Sequence, residues 1–143
     1  MRQIIKYLTL ALYGGVIYYI IEAIYKSHWS DNPTHWSMAV VGGLAFIVVG
    51  GINNYLPWRM SIVLQCLTGA AAITLLELFA GLIINVWLGL GIWDYSGLPG
   101  SFLGQICLPF SAAWVALSLV CIVLDDFLRH WIFQEEKPHY YWL

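Results

Sequence analysis

Residues 60–93 read MSIVLQCLTGAAAITLLELFAGLIINVWLGLGIW and decide how the chain folds. This tract carries only one charged residue, Glu77. As a single helix it would be about 50 Å long, whereas the hydrocarbon core of a bilayer is about 30 Å thick. We therefore expect the helix to end near Trp87, because Leu88-Gly89-Leu90-Gly91 continues a helix poorly. Ile92 to Gly104 is then predicted to form an ordered loop at the outer membrane interface.

The composition of the whole chain agrees with a lipid environment. Of 143 residues, 61% are apolar and only 10% are charged, whereas a soluble domain has roughly a quarter charged residues. So few charges cannot cover a globule of this size, which excludes a water-soluble monomer. The net charge of −2 provides no basic surface, so membrane lipid is the expected partner and nucleic acid is not.

These features predict an all-α integral membrane bundle of four transmembrane helices with an ordered outer interfacial loop. Each apolar run is long enough, or nearly so, to cross the hydrocarbon core, and polar stretches separate them. We expect one transmembrane domain over residues 1–143, with spans at about 4–25, 36–52, 60–87 and 106–131. The tail, residues 132–143, has an aromatic character suited to lying against lipid headgroups, although a frayed terminus is equally compatible with it.

The basic residues predict the orientation of these spans. Only Lys26 falls on one side, whereas the other side carries Arg2, Lys6, Arg59, Arg129 and Lys137. Basic residues are enriched in cytoplasmic segments, so both termini of this multi-pass protein of the cell membrane are expected in the cytoplasm. The second span also carries Gly42, Gly43, Gly50 and Gly51 at a spacing that would align one small face for close helix contact. The alternative is the general enrichment of glycine in membrane helices.

Glu77 is the residue that lipid should tolerate least. It lies near the middle of the third span, where a carboxylate must face a partner or a water-filled cavity. Asn85 follows eight residues later on the same helix face, and Gly81 lies between them, which gives a polar stripe. We interpret Glu77, Gly81 and Asn85 as a ligand or ion pathway, the alternative being a structural tie between helices.

The other charged residues and the cysteines suggest no chemistry. Glu22 can pair with Lys26, and Asp125 with Arg129, as ordinary i,i+4 pairs; we interpret the Asp125–Asp126 region as a solvated helix end. No hydrolase, phosphate-binding or zinc-ligand motif is found. The sequence thus predicts no metal, no cofactor and no enzymatic activity.

A family resemblance extends over about forty residues. Glu77, Gly81, Asn85, Trp93-Asp94-Tyr95-Ser96, Gly104, Ile106 and Trp114 form a pattern that resembles the bacterial family labelled putative ABC-transporter type IV membrane proteins, which has small four-span relatives in vertebrates. The family tends to have a Glu four residues after a Gly in the first span. Here Gly15 is followed at that spacing by Tyr19, and the nearest acid is Glu22.

Two functions follow from these observations. The first is a transport protein or transporter membrane subunit, working as a homo-oligomer or with a membrane partner because four spans form only a narrow bundle. Trp93, Asp94, Tyr95 and Ser96 would then form a lid over the polar stripe. The alternative for these four residues is a structural plug that closes the outer end of the bundle, with Asp94 capping the following turn. The alternative is a non-catalytic structural or regulatory subunit that binds a partner through its spans and this loop. We call residues 92–104 the WDYS loop.

Overall fold

The computed structural model describes residues 1–142. Within them the chain forms α1 (Arg2–Trp29), α2 (Ser37–Gly50), the short α3 (Ile52–Tyr55), α4 (Ile62–Gly81) and α5 (Leu108–Phe133). A π-helical segment (Leu82–Trp87) continues α4 and ends where the sequence predicts. The described residues contain no β-strand, so the predicted all-helical architecture is confirmed.

The four longer helices run alternately up and down between two ends. Lys6 near the start of α1 pairs with Glu135 in the tail, whereas Lys26 near its end contacts Ile92 of the WDYS loop. We call these the tail end and the loop end. The start of α1 and the described part of the tail therefore lie at the same end. α1 packs mainly on α2 and α4 mainly on α5, while α2 also contacts α4 and α5.

The helices fit a membrane by length and composition. α1, α5, and α4 with its π-helical extension are long and apolar enough to cross a bilayer. α2 is apolar but has only 14 residues, about 21 Å of helix, which is shorter than the hydrocarbon core. The structure thus supports three helices of spanning length and a shorter one. Large apolar side chains are exposed along α1, among them Ile4, Leu8 and Leu12, as expected where the surrounding solvent is lipid.

Glycines let α1 and α2 approach closely. A Cβ on Gly15 would lie 2.4 Å from the Ala39 carbonyl oxygen, and one on Gly43 would lie 2.7 Å from the Ala11 carbonyl oxygen. Side chains at either position would push the two backbones apart.

Of the four glycines that the sequence places on one face, three contact two different neighbouring helices and the fourth contacts its own helix. Gly42 and Gly43 face α1, whereas Gly50 faces Asp125 of α5. Gly51 lies at the junction of α2 and α3, where its nearest contact is the Ile47 carbonyl of its own helix. Gly43 and Gly50 therefore belong to different interfaces, because α2 packs against both α1 and α5.

Candidate functional site

Glu77 is held by two hydrogen-bond donors. Its Oε1 accepts a hydrogen bond from the Tyr95 hydroxyl at 2.9 Å, and its Oε2 accepts one from Trp114 Nε1 at 3.0 Å. The residue is only 7% exposed. One carboxylate therefore links α4, the WDYS loop and α5, and both of its oxygens have partners.

The other residues of the predicted polar stripe also contact the loop region. A Cβ on Gly81 would lie 2.4 Å from Gln105 Oε1, so the absence of a side chain makes room for Gln105. Asn85 Nδ2 donates to the same Gln105 oxygen at 2.9 Å, and Asn85 Oδ1 accepts from the Ile92 amide at 2.7 Å. The stripe therefore has a continuous set of contacts with residues 92–105.

The WDYS loop is folded by its own polar groups. Asp94 Oδ1 accepts hydrogen bonds from the Ser96 amide at 2.9 Å and the Ser96 hydroxyl at 2.5 Å, which together form an Asx turn. Gly104 has a φ of +70°, and a Cβ there would lie 2.8 Å from Asp94 Oδ1. Trp93 Nε1 donates to the Gln105 carbonyl at 3.1 Å.

Two loop side chains have shifted pKa values. The two bonds from Ser96 stabilise the charged form of Asp94 and lower its pKa. Burial raises the pKa of the Tyr95 hydroxyl, and so does the nearby Glu77. At neutral pH, Asp94 is therefore a carboxylate and Tyr95 a neutral hydrogen-bond donor.

A cavity of about 860 Å³ lies between α1, α5 and the WDYS loop. Its wall includes Trp93, Asp94 and Tyr95 from the loop and Trp114 from α5. Glu77, Gly81 and Asn85 are not among the residues that line it. Tyr95 and Trp114 connect the two features, because each borders the cavity and also donates a hydrogen bond to Glu77.

An ion pair lies on the wall of this cavity. Lys26 Nζ is 3.1 Å from Glu22 Oε1, which confirms the predicted i,i+4 pair, and 3.5 Å from the Ile92 carbonyl oxygen. The second Glu22 oxygen, Oε2, has no hydrogen-bond partner within residues 1–142 and is out of contact with solvent. A pair expected to be a feature of the helix surface thus belongs to the cavity.

The interpretation of the Asp125–Asp126 region as a solvated helix end is wrong. Asp125 is 0% exposed and Arg129 is 3% exposed, and the two form the predicted ion pair inside the bundle. Asp126 Oδ2 accepts hydrogen bonds from Asn53 Nδ2 at 2.7 Å and the Tyr140 hydroxyl at 2.9 Å. The cluster is buried because α2, α3 and the tail pack around it.

The tail closes this end of the bundle, so the frayed alternative for it is also wrong. Glu135 forms an ion pair with Lys6 of α1, and Ile62 donates its amide to the Tyr141 carbonyl at 2.7 Å. The ring of His139 stacks on Trp58 at 4.6 Å between centroids. Leu143, the last residue of the predicted tail, lies outside the described residues.

Several residues of the site were not predicted from the sequence. They border the cavity or hold the loop: Tyr18, Tyr25, Gln105 and Phe110. A signal for two of them was present, because residues 18, 22, 25, 26 and 29 recur at helical spacing and share one face of α1. Gln105 had no such signal, since only the folded loop brings it to α4. Among residues 1–142, no group of three or more metal-ligating side chains comes together.

A family model described as "Putative ABC-transporter type IV" matches residues 5–141. Because the match covers nearly the whole chain, the protein belongs to this family, and the resemblance seen in the WDYS region is confirmed. None of the curated proteins and none of the solved structures matches the chain. The family description and the apolar helices together indicate a transporter-related membrane protein.

Proposed function

We propose that this family member is a transport protein or the membrane subunit of a transporter, and that the loop-end cavity holds its substrate. The observation that carries the proposal is the cavity itself. Its volume of about 860 Å³ is within the range of small-molecule sites, which are mostly apolar with a few placed polar groups. Here aromatic side chains form much of the wall, and Glu22, Lys26 and Asp94 supply the charges.

In this proposal Glu77, Gly81 and Asn85 hold the lid of the cavity. The WDYS loop would move away from α4 to open the cavity, and this motion would break the Tyr95–Glu77 bond and the Asn85 bonds to Ile92 and Gln105. Trp114 would keep its bond to the same carboxylate, since both residues lie on helices. Glu77 would thus couple the state of the loop to the α5 wall of the cavity.

We also propose that the protein is multi-pass with both termini in the cytoplasm. The support is the placement of charge, because Lys6 and Arg129 lie at the tail end, whereas Lys26 lies at the loop end. The cavity would then open on the outer side of the cell membrane.

The chain is proposed to act with other subunits and without catalysis of its own. A bundle of this size leaves little room for a conduit, so a homo-oligomer or a membrane partner would complete the pathway. The sequence has no phosphate-binding glycine loop, so any ATP hydrolysis would belong to a separate subunit.

Cysteine accessibility tests the transport proposal. Ala113 lines the cavity and is exposed within it, so Ala113→Cys would be made in a background where Cys66, Cys107 and Cys121 are replaced by alanine. A membrane-impermeant maleimide would be applied from either side of oriented vesicles. Asp31→Cys and Glu136→Cys, at exposed positions that do not line the cavity, serve as controls for the loop end and the tail end.

Transport requires the cavity to be open to each side in turn. We expect Ala113→Cys to be modified from both sides, while each control is modified from its own side only. Modification of Ala113→Cys from the loop side alone would contradict transport through this cavity.

The second candidate is a non-catalytic structural or regulatory subunit that binds a partner through its spans and the WDYS loop. Two observations favour it: both oxygens of Glu77 already have partners, and Phe102 and Leu103 of the loop are exposed. One-sided labelling, together with a defined complex in native mass spectrometry that Phe102→Ser abolishes, would support this candidate over transport.

A further inference from the structure

We propose that the loop-end cavity binds an amphiphile whose head ends in an ammonium group and whose tail is an alkyl chain. This inference rests on the proposed function and names the class of substrate for the same cavity. Three features of the wall carry it: the balance of its charges, the arrangement of its rings, and its apolar end.

The charges on the wall favour a cation. Glu22, Lys26 and Asp94 border the cavity, so acids exceed bases by one. Lys26 is already engaged by Glu22 Oε1 and by the Ile92 carbonyl, whereas Glu22 Oε2 has no partner within residues 1–142. An anionic head would have to break the Lys26 pair to find a counter-charge. A cationic head would lie beside the Glu22 carboxylate, whose second oxygen has no hydrogen-bond partner within residues 1–142, and would be attracted to its charge without breaking the Lys26 pair.

The aromatic rings on the cavity wall form a cluster around Phe110. Phe110 lies 4.8 Å from Tyr95, 5.8 Å from Tyr25 and 6.1 Å from Trp114, measured between ring centroids. Trp29 stacks on Tyr25 at 5.1 Å. Aromatic faces attract ammonium groups, and desolvated sites gain most from this interaction, so the cluster suits a methylated or primary ammonium head.

The far end of the cavity is apolar and reaches the lipid-facing surface. Ala113, Leu117 and Val120 continue the wall along α5, about 15 Å from Phe110 to Val120. Val120 on α5 and Ile21 on α1 are exposed on the outside of the bundle. An alkyl chain could therefore extend from the ring cluster toward the bilayer, and the ligand could enter sideways between α1 and α5.

Equilibrium binding to the purified full chain in an uncharged detergent tests the ligand class. The probes are decyltrimethylammonium and decyl sulfate, which share a chain length and differ in the charge of the head. We expect the cation to bind at least tenfold more tightly than decyl sulfate. Tryptophan fluorescence and calorimetry measure the two affinities. Equal affinity for the two probes would overturn the proposal.

Variants locate the effect. Glu22→Gln should weaken binding of the cation about tenfold and strengthen binding of decyl sulfate, because it releases Lys26 from its ion pair. Glu136→Gln, a matched change of an exposed acid in the tail, should change neither affinity. Equal behaviour of the two variants would contradict the role of Glu22. Tyr25→Leu provides an independent test if Glu22→Gln does not fold: loss of the ring should weaken cation binding severalfold, and unchanged binding would count against the aromatic cluster.

The source of the amphiphile is distinguished by extraction from vesicles that contain equal amounts of phosphatidylethanolamine and phosphatidylglycerol. Selective retention of phosphatidylethanolamine in native mass spectrometry would identify the bilayer as the source. Equal retention of both lipids, with cation binding intact, would identify a soluble amphiphile. These binding measurements need no transport, so the two proposals can fail separately. Loss of charge selectivity together with two-sided labelling of Ala113→Cys would overturn the ligand class alone. Charge-selective binding together with one-sided labelling would overturn transport alone.

Discussion

The two ends of the bundle bury acidic residues in different ways. At the loop end, Glu77 has a phenol and an indole as its partners, and both of its oxygens are bonded. At the tail end, Asp125 pairs with the guanidinium of Arg129, yet Asp125 Oδ1 and the two terminal nitrogens of Arg129 have no hydrogen-bond partner within residues 1–142. One acid is held by neutral donors beside a cavity, and the other belongs to a network of charges.

The two kinds of partner, neutral donors and a charged guanidinium, have different consequences for a buried acid. Neutral donors hold a carboxylate without adding charge, and they can be released one at a time, as a movable loop requires. Separating a buried ion pair leaves an uncompensated charge on each partner, so opening a site that contains one is costly. The loop end is therefore suited to move, and the tail end, which the tail covers, is suited to stay closed.

The largest effect is expected from Arg129→Met at the tail end. Loss of the guanidinium leaves Asp125 without its cation in a buried site, which should lower the free energy of unfolding by about 3–5 kcal/mol. Thermal unfolding in detergent measures the change, and Lys137→Met, at an exposed position in the tail, is the control. A variant as stable as the control would show that the pair is not part of what holds this end closed.

A glycine pair compares the packing of the two ends. A Cβ on Gly50 would lie 2.4 Å from the Cβ of Asp125, an atom next to the backbone, so Gly50→Ala should cost up to about 3 kcal/mol. Gly81→Ala should cost less, because its closest contact is the end of the Gln105 side chain and the Gln105 Cβ is farther away, at 2.9 Å. Gly97→Ala is the control, since nothing lies within 4 Å of that site. A larger loss for Gly81→Ala would reverse the comparison.

Glu77→Gln tests whether the hydrogen bonds from Tyr95 and Trp114 require both carboxylate oxygens of Glu77. The amide supplies one acceptor oxygen, but Tyr95 and Trp114 both donate, so one donor is left without a partner. We expect a loss of about 1–2 kcal/mol. Trp114→Phe, which removes the indole donor, should make the further change to Gln nearly neutral. A double-mutant cycle measures this coupling, and strict additivity would show that the indole bond contributes nothing.

The smallest effect concerns the pH dependence of the loop. Because the pKa of Asp94 is lowered in the folded protein, its contribution to stability is present above the pKa of an unfolded aspartate and is lost as the pH falls through the folded value. Asp94→Asn should therefore lower the melting temperature slightly at pH 7, and the difference from the wild-type protein should shrink below pH 4. A difference that is constant from pH 7 to pH 3 would contradict the role of the Asp94 charge.

Much of the fold was predictable from the sequence for a simple physical reason. Long apolar runs can be satisfied in lipid only as helices, so α1, α4 and α5 and the helix end at Trp87 follow from composition and length. The two i,i+4 pairs, Glu22–Lys26 and Asp125–Arg129, were predictable because their geometry belongs to one helix. The Asx turn of Asp94 and Ser96 is local in the same sense.

The tertiary structure alone decided which of these local features meet. Periodicity places Glu77 and Asn85 on one helix face, but it cannot tell that Tyr95, Trp114 and Gln105 complete their hydrogen bonds from elsewhere in the chain. The burial of Asp125 depends on α2, α3 and the tail, so no pattern within α5 reveals it. Contacts within one helix are fixed by its pitch, whereas a cavity or a buried charge exists only where separate segments pack around it.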